Sequence, residues 1–97
     1  MRFIICRGLP ASGKSTWAAD YVQTHPDTKI VNRDTLRLLH PGLGEAAIRT
    51  MRDALIDEYL NDGYTVISDD TNLISKTYDR LITLGRSHGA EIITKTF

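Results

Sequence analysis

The stretch that decides the fold is RGLPASGKST, residues 7–16. It ends the apolar run FIIC, residues 3–6, and leads into WAADYV, residues 17–22. Two glycines bracket four residues, and a lysine and two hydroxyls follow. Residues 8–15 match G-x-x-x-x-G-K-[ST] in full, with a strand pattern before and an amphipathic helix pattern after, as that motif requires. Gly8 is expected to let the chain leave the strand with backbone angles closed to other residues. Gly13 is expected to let the backbone approach a phosphate with no side chain between. The amides of residues 11–16, backed by a helix N-terminus, can converge on an anion. Gly8, Ala11, Ser12, Gly13, Lys14, Ser15 and Thr16 are therefore the candidate nucleotide-binding residues. Lys14 would reach β- and γ-phosphate oxygens, and Ser15 would be a hydroxyl ligand of Mg²⁺. ATP and Mg²⁺ are the cofactors this loop implies.

Outward from the loop, short apolar runs alternate with helical patterns. FIIC has the β-branched, uninterrupted character of a strand buried on both faces. In the first helix, Trp17, Ala18, Tyr21 and Val22 share a face, and His25-Pro26-Asp27 ends it. KIVN, residues 29–32, is a second strand, and RDTLRLL begins a short helix. HPGLGE, residues 40–45, is a loop broken by Pro41, Gly42 and Gly44. From Glu45 to Asn61 a helix is predicted with Ile48, Met51, Leu55 and Tyr59 inward, and with Arg49, Arg52, Asp53 and Asp57 away from that face. Asp62-Gly63 is a turn, and YTVIS, residues 64–68, is the third strand. Ser75 is read as the N-cap of a last helix that runs to His88, with Gly89 beyond its end. Tyr78, Leu81, Ile82 and Gly85 would face inward. EIITKTF, residues 91–97, is a final strand. This βα alternation predicts an α/β three-layer sandwich on a parallel sheet of about four strands, with right-handed crossovers.

Composition narrows the function classes. At 97 residues, with 41% hydrophobic and 25% charged side chains, the chain is an ordinary single globular domain with a small core. Twelve basic residues balance twelve acidic ones, so no global basic field announces nucleic acid, and any such contact must be local. The single cysteine, Cys6, excludes an internal disulfide and reads as a small buried hydrophobe in a reducing setting. MRFIIC has no signal-peptide pattern, and no apolar run nears membrane-spanning length, so a cytoplasmic location without membrane partners is expected. His25, His40 and His88 have no metal-ligand spacing. Trp17 reads as core.

Ligands of an open parallel sheet collect at the carboxyl ends of its strands. After the second strand stands Asn32-Arg33-Asp34-Thr35-Leu36-Arg37. Asp34 is placed to accept a proton from an attacking hydroxyl. Arg37, one turn later, faces the same side, either as a partner in catalysis or as half of a plain surface ion pair. After the third strand stands Ser68-Asp69-Asp70-Thr71-Asn72. An acid here holds Mg²⁺ or a metal-bound water. Adjacent side chains point apart, so one of Asp69 and Asp70 would face the metal and the other would cap or face solvent.

GLPASGKSTWA, NRDTLR and SDDTNL together, in this order, resemble the kinase domain of phage-type 5′-hydroxyl polynucleotide kinases. The likeness runs over essentially the whole chain and implies a P-loop kinase fold. It also implies phosphoryl transfer from ATP to the 5′-hydroxyl of DNA or RNA. Asp34 would then be the general base, with Lys14 on the phosphates. Arg37 would contact the acceptor phosphate or position the base, and Ser15 with Asp69 or Asp70 would serve Mg²⁺. The partner would be a nucleic-acid 5′ end, and the setting the cytoplasm, a host's if the protein is phage-encoded. That family continues into an arginine-bearing lid which these 97 residues do not contain. The expectation is one kinase core, residues 1–97, with the C-terminal lid region absent. Arg7, Arg49, Arg52, Arg80 and Arg86 lie in no recognisable lid. Two other readings stand beside this one. A small-molecule or toxin-type kinase shares the same loop and acid. A nucleotide-binding module with little catalysis would act through a partner or a homodimer, paired along an exposed last strand.

Overall fold

Four successive residues of the first strand, Phe3 to Cys6, are buried, so both faces of that strand must be covered. The computed structural model describes residues 1–97 and shows how. β1 (Arg2–Arg7), α1 (Lys14–Thr24), β2 (Thr28–Val31), α2 (Arg33–Leu39), α3 (Glu45–Asn61), β3 (Thr65–Ser68), α4 (Ser75–Ser87) and β4 (Glu91–Thr96) follow in order. All strand pairings are parallel, in the order β2-β3-β1-β4. The expected α/β sandwich is the observed fold.

Side chains alternate across a strand, and the two cores follow from that alternation. Phe3 and Ile5 point to one face, where they join Val31, Val66, Ile56 and Leu60 of α3, and Leu81 of α4. Ile4 and Cys6 point to the other, with Ile67 and Ala18 of α1. Trp17, Tyr21 and Phe97 close that second core as half-buried rings, so Trp17 packs as expected but is not fully enclosed. Cys6 is free and buried, and burial pushes its thiol up to about 12.

Four expectations need correction. The buried positions of α3 are Ile48, Arg52, Ile56 and Leu60, one row over from the predicted row, with Met51, Leu55 and Tyr59 half-buried beside them. Arg52, expected outward, is 1% exposed. Its stem packs like an aliphatic side chain while its head faces a cavity, a dual character that an apolar tally misses. Ser75 is the first residue of α4 and not its cap; the N-cap is Ile74, which provides no capping side chain. KIVN ends as a strand at Val31 because Asn32 becomes the N-cap of α2, where its side chain accepts a hydrogen bond from Thr35 N at 3.0 Å.

Gly85 lets α4 lie on the sheet. A Cβ there would sit 2.5 Å from Ile92 Cδ1 and 2.6 Å from Phe3 Cδ2. α4 therefore approaches β1 and β4 more closely than any side chain permits. β4 is an edge strand, paired with β1 along six residues.

Candidate active site

The carboxyl ends of β1, β2 and β3 present their following loops to one side of the sheet. After β1 the chain passes through Ala11 at φ 62° and reaches Gly13, the N-cap of α1, at φ 96°. A non-glycine residue in the left-handed region carries strain of the kind found at ligand clamps. The left-handed backbone angle expected at Gly8 is found at Gly13 instead. Gly13 needs its backbone angle, and an added Cβ would meet nothing within 4 Å. Gly8 has no positive φ; an added Cβ there would lie 3.0 Å from both Phe97 Cβ and Ser12 Oγ.

Lys14 is buried at the start of α1. Its Nζ donates to the carbonyls of Gly8 at 3.0 Å and Leu9 at 2.7 Å and approaches Ser12 Oγ at 3.4 Å, so the ammonium spans the loop. Ala11, Gly13, Lys14, Ser15 and Thr16 line a cup of about 250 Å³. Gly8 and Ser12 do not line this cup but meet Lys14 Nζ.

The two aspartates after β3 diverge. Ser15 Oγ donates to Asp69 Oδ2 at 2.8 Å, and Asp69 Oδ1 is buried with no hydrogen-bond partner. Asp70 turns to α2, where its Oδ1 accepts from Arg33 N at 3.0 Å and Arg33 Nε stands 3.6 Å from Oδ2. Burial raises the Asp70 carboxyl above its ordinary range, against the Arg33 amide and the charges of Arg33 and Arg52. Asp69 thus faces the phosphate loop and Asp70 faces the second strand's loop.

Asn72 is 3% exposed at φ 50°. Its Nδ2 donates to Cys6 O at 2.9 Å and Ser68 Oγ at 3.1 Å, joining the ends of β1 and β3. Gly8 N donates to Thr71 O at 3.1 Å. The third motif therefore anchors the base of the first.

Asp34 sits in the first turn of α2 with its side chain 83% exposed and ion-paired to Arg37. Arg37 also forks onto Glu45, with Nε 2.6 Å from Oε1 and Nη2 2.8 Å from Oε2. The Glu45 bond is the chief reason the Arg37 guanidinium is held above its ordinary value, and Arg37 in turn holds the Glu45 carboxyl low. Sequence reasoning missed Glu45, although it is the only acid in the loop-to-helix junction after Arg37.

One cleft of about 270 Å³ gathers these elements. Pro10, Ala11, Lys14 and Ser15 line it from the first loop, Asn32, Arg33 and Asp34 from the second, and Asp69, Asp70 and Thr71 from the third. Arg37 does not line the cleft but binds Asp34 at its rim. No group of three or more His, Cys, Asp or Glu side chains is arranged to hold a metal alone. His25 stacks on Tyr21 at 3.9 Å, and His88 lies 2.7 Å from Asp57. No helix is long and apolar enough to cross a membrane.

Comparison with known proteins agrees with the fold. A family model described as an AAA domain matches residues 3–97. No curated protein matches the sequence. Among solved structures, a chain of the Pnkp1/Rnl/Hen1 complex is 30% identical, with a TM-score of 0.88. The match covers 99% of this chain and 35% of that one, so this chain spans about a third of its length. The APS kinase CysC of Mycobacterium tuberculosis is 16% identical at a TM-score of 0.70, covering 98% of this chain and 73% of its own. That second likeness establishes the fold alone.

Proposed function

From the premise that the chain belongs to this AAA domain family and has a P-loop kinase-type fold, we propose that it transfers the γ-phosphate of ATP to the 5′-hydroxyl of DNA or RNA. One observation carries the reading: Lys14, Ser15, Asp34 and Asp69 line a single cleft, with the phosphate loop on one wall and an unburied carboxylate on the other. The 30% identity to a chain of the Pnkp1/Rnl/Hen1 complex supports the kinase-type reading, and the choice of acceptor rests on the resemblance of the three motifs GLPASGKSTWA, NRDTLR and SDDTNL.

Ser15 and Asp69 fit Mg²⁺, a hard cation that takes oxygen ligands, because a buried carboxylate oxygen without a partner stands beside the Ser15 hydroxyl. When bound, the ion supplies positive charge against the triphosphate oxygens. The loop residues 11–16 and Lys14 hold and orient the phosphates. The 5′-oxygen forms a bond to the γ-phosphorus as the bond to the β–γ bridging oxygen breaks. Asp34 Oδ takes the hydroxyl proton, and ADP leaves. Such transfer depends on positioning and electrostatics more than on covalent help, so the orientation of Asp34 matters. Arg37 fixes that orientation, and Glu45 fixes Arg37.

The test is label transfer from γ-labelled ATP to a 5′-hydroxyl oligonucleotide, run beside a panel of small alcohols. Label on the oligonucleotide, reduced by roughly a hundredfold or more in Asp34→Ala, the scale of general-base loss, is the expected result. Lys14→Ala is also expected to abolish it. Label on small alcohols alone overturns the acceptor. ATP binding with no transfer to any acceptor overturns the kinase reading.

A further inference from the structure

A separate cavity, of about 290 Å³, lies between α3 and α4 and shares no residue with the cleft. Arg49, Arg52, Lys76, Thr77 and Arg80 line it, with no apolar side chain among them. Arg52 is 1% exposed, and its Nη1 is buried with no hydrogen-bond partner. Its Nε reaches Asp53 Oδ1 at 3.1 Å, while Asp53 Oδ2 is taken by Arg80 at 2.5 Å. One carboxylate therefore serves two guanidinium groups. Arg49 and Lys76 add two further cations, and neither has an ion-pair partner. Glu45, one turn before Arg49, is occupied by Arg37; Asp70 feels the charge of Arg52 but makes its contacts to Arg33 and no bond to Arg52. The first turn of α4 opens beside the cavity with no side-chain cap.

A buried guanidinium nitrogen without an acceptor is costly, and a surplus of positive charge in a polar hollow calls for an anion. Phosphate suits the set, because arginine forks and a helix N-terminus both match its oxygens. Position selects which phosphate. Arg49 and Arg52 lie in the first two turns of α3, and Lys76 and Thr77 lie in the first turn of α4. Helices that lead into parallel strands begin at the carboxyl edge of the sheet, where the cleft opens.

We propose that the Arg49–Arg52–Lys76–Arg80 cavity binds an internal phosphodiester of the acceptor strand whose 5′ end enters the cleft. The assignment of a strand rests on the proposed function; the phosphate chemistry does not. Neutral overall charge then ceases to argue against nucleic acid, because the contact is a local pocket.

The test is binding of 5′-hydroxyl oligonucleotides, followed by fluorescence anisotropy without ATP. Arg52→Ala can unfold the chain, so the variant is the exposed pair Arg49→Glu with Lys76→Glu, checked by circular dichroism. The expected loss of affinity is about tenfold or more, the scale of one charge-assisted contact, with a shallower salt dependence. ATP affinity stays unchanged. Oligonucleotides with one neutral methylphosphonate linkage locate the phosphate: one position weakens binding to the wild type and not to the variant. Equal affinity for variant and wild type overturns the proposal, even if kinase activity is present. Loss of binding in the variant with no label transfer by the wild type upholds the cavity and overturns the proposed reaction. Saturation by inorganic phosphate with no effect on oligonucleotide binding overturns the strand assignment.

Discussion

Substituting Gly85 by alanine tests the packing that seats α4 on the sheet. In an exposed helix this change would stabilise by about 1 kcal/mol, because alanine is the better helix former. Here the new Cβ would stand 2.5 Å from Ile92 Cδ1 and 2.6 Å from Phe3 Cδ2. Carbon contacts are comfortable at about 3.5–4.0 Å, so each neighbour must give about 1 Å. The half-buried Ile92 tip can turn aside. The Phe3 ring is 0% exposed and enclosed by the larger core, so the helix must lift instead. Overpacking of this kind costs about 1–3 kcal/mol, which outweighs the propensity gain and leaves a net loss of about 1 kcal/mol. For a chain of this size that lowers Tm by about 4–8 °C. Differential scanning calorimetry of the variant beside Gly42→Ala, where an added Cβ meets nothing, reads the effect. A Tm for Gly85→Ala equal to or above that of Gly42→Ala refutes the close approach of α4 to β1.

Three further predictions follow from particular contacts. Asn72→Ala loses the side-chain bonds to Cys6 O and Ser68 Oγ and places alanine at φ 50°, so denaturant unfolding should show a loss of about 2–4 kcal/mol. Cys6 has its thiol raised by burial from 9.0 to about 12, so the fold favours the protonated form. The stability from this source is fully present below the ordinary thiol range and is lost as pH rises through about 12. Native protein at pH ~9 should resist iodoacetamide, label on unfolding, and lose stability toward pH ~12 more steeply than Cys6→Ala, a comparison that cancels the tyrosines. Glu45→Gln frees Arg37 at an exposed pair, so stability should change by less than about 1 kcal/mol while label transfer falls and ATP affinity holds. A loss of ATP binding in that variant would place Glu45 on the nucleotide side and not on the acceptor side.

The fold was legible wherever one local rule decided it. The run from Phe3 to Cys6 cannot be a surface strand, and the loop that follows cannot be a tight hairpin, so β1 and α1 were readable together. The same held for β3 and its acids. Legibility failed where a contact came from far along the chain. Gly8 was assigned a backbone role, but its space is limited by Ser12 Oγ nearby and by Phe97, which arrives from far along the chain. Asp69 and Asp70 could not be told apart from their spacing. What separates them is Ser15 on one side and Arg33 on the other, each brought in by a different strand crossover.

Arg52 is the sharpest case, because the rule that misplaced it also hid its use. Hydrophobic periodicity assigns every arginine to the solvent side, which moved the predicted inner row of α3 over by one position. The true row runs Ile48, Arg52, Ile56, Leu60 at a spacing of four, continuous with the larger core at its far end. Within the row, between Ile48 and Ile56, Arg52 turns one position over to the polar cavity. An isoleucine at position 52 would extend the apolar row and remove an unpaired guanidinium nitrogen from the interior. A buried cation in an otherwise aliphatic row is therefore a departure from the best packing solution. Departures of that kind are expected at functional sites, and this one stands at the junction of α3 and α4, where the proposed phosphate would supply the missing acceptor.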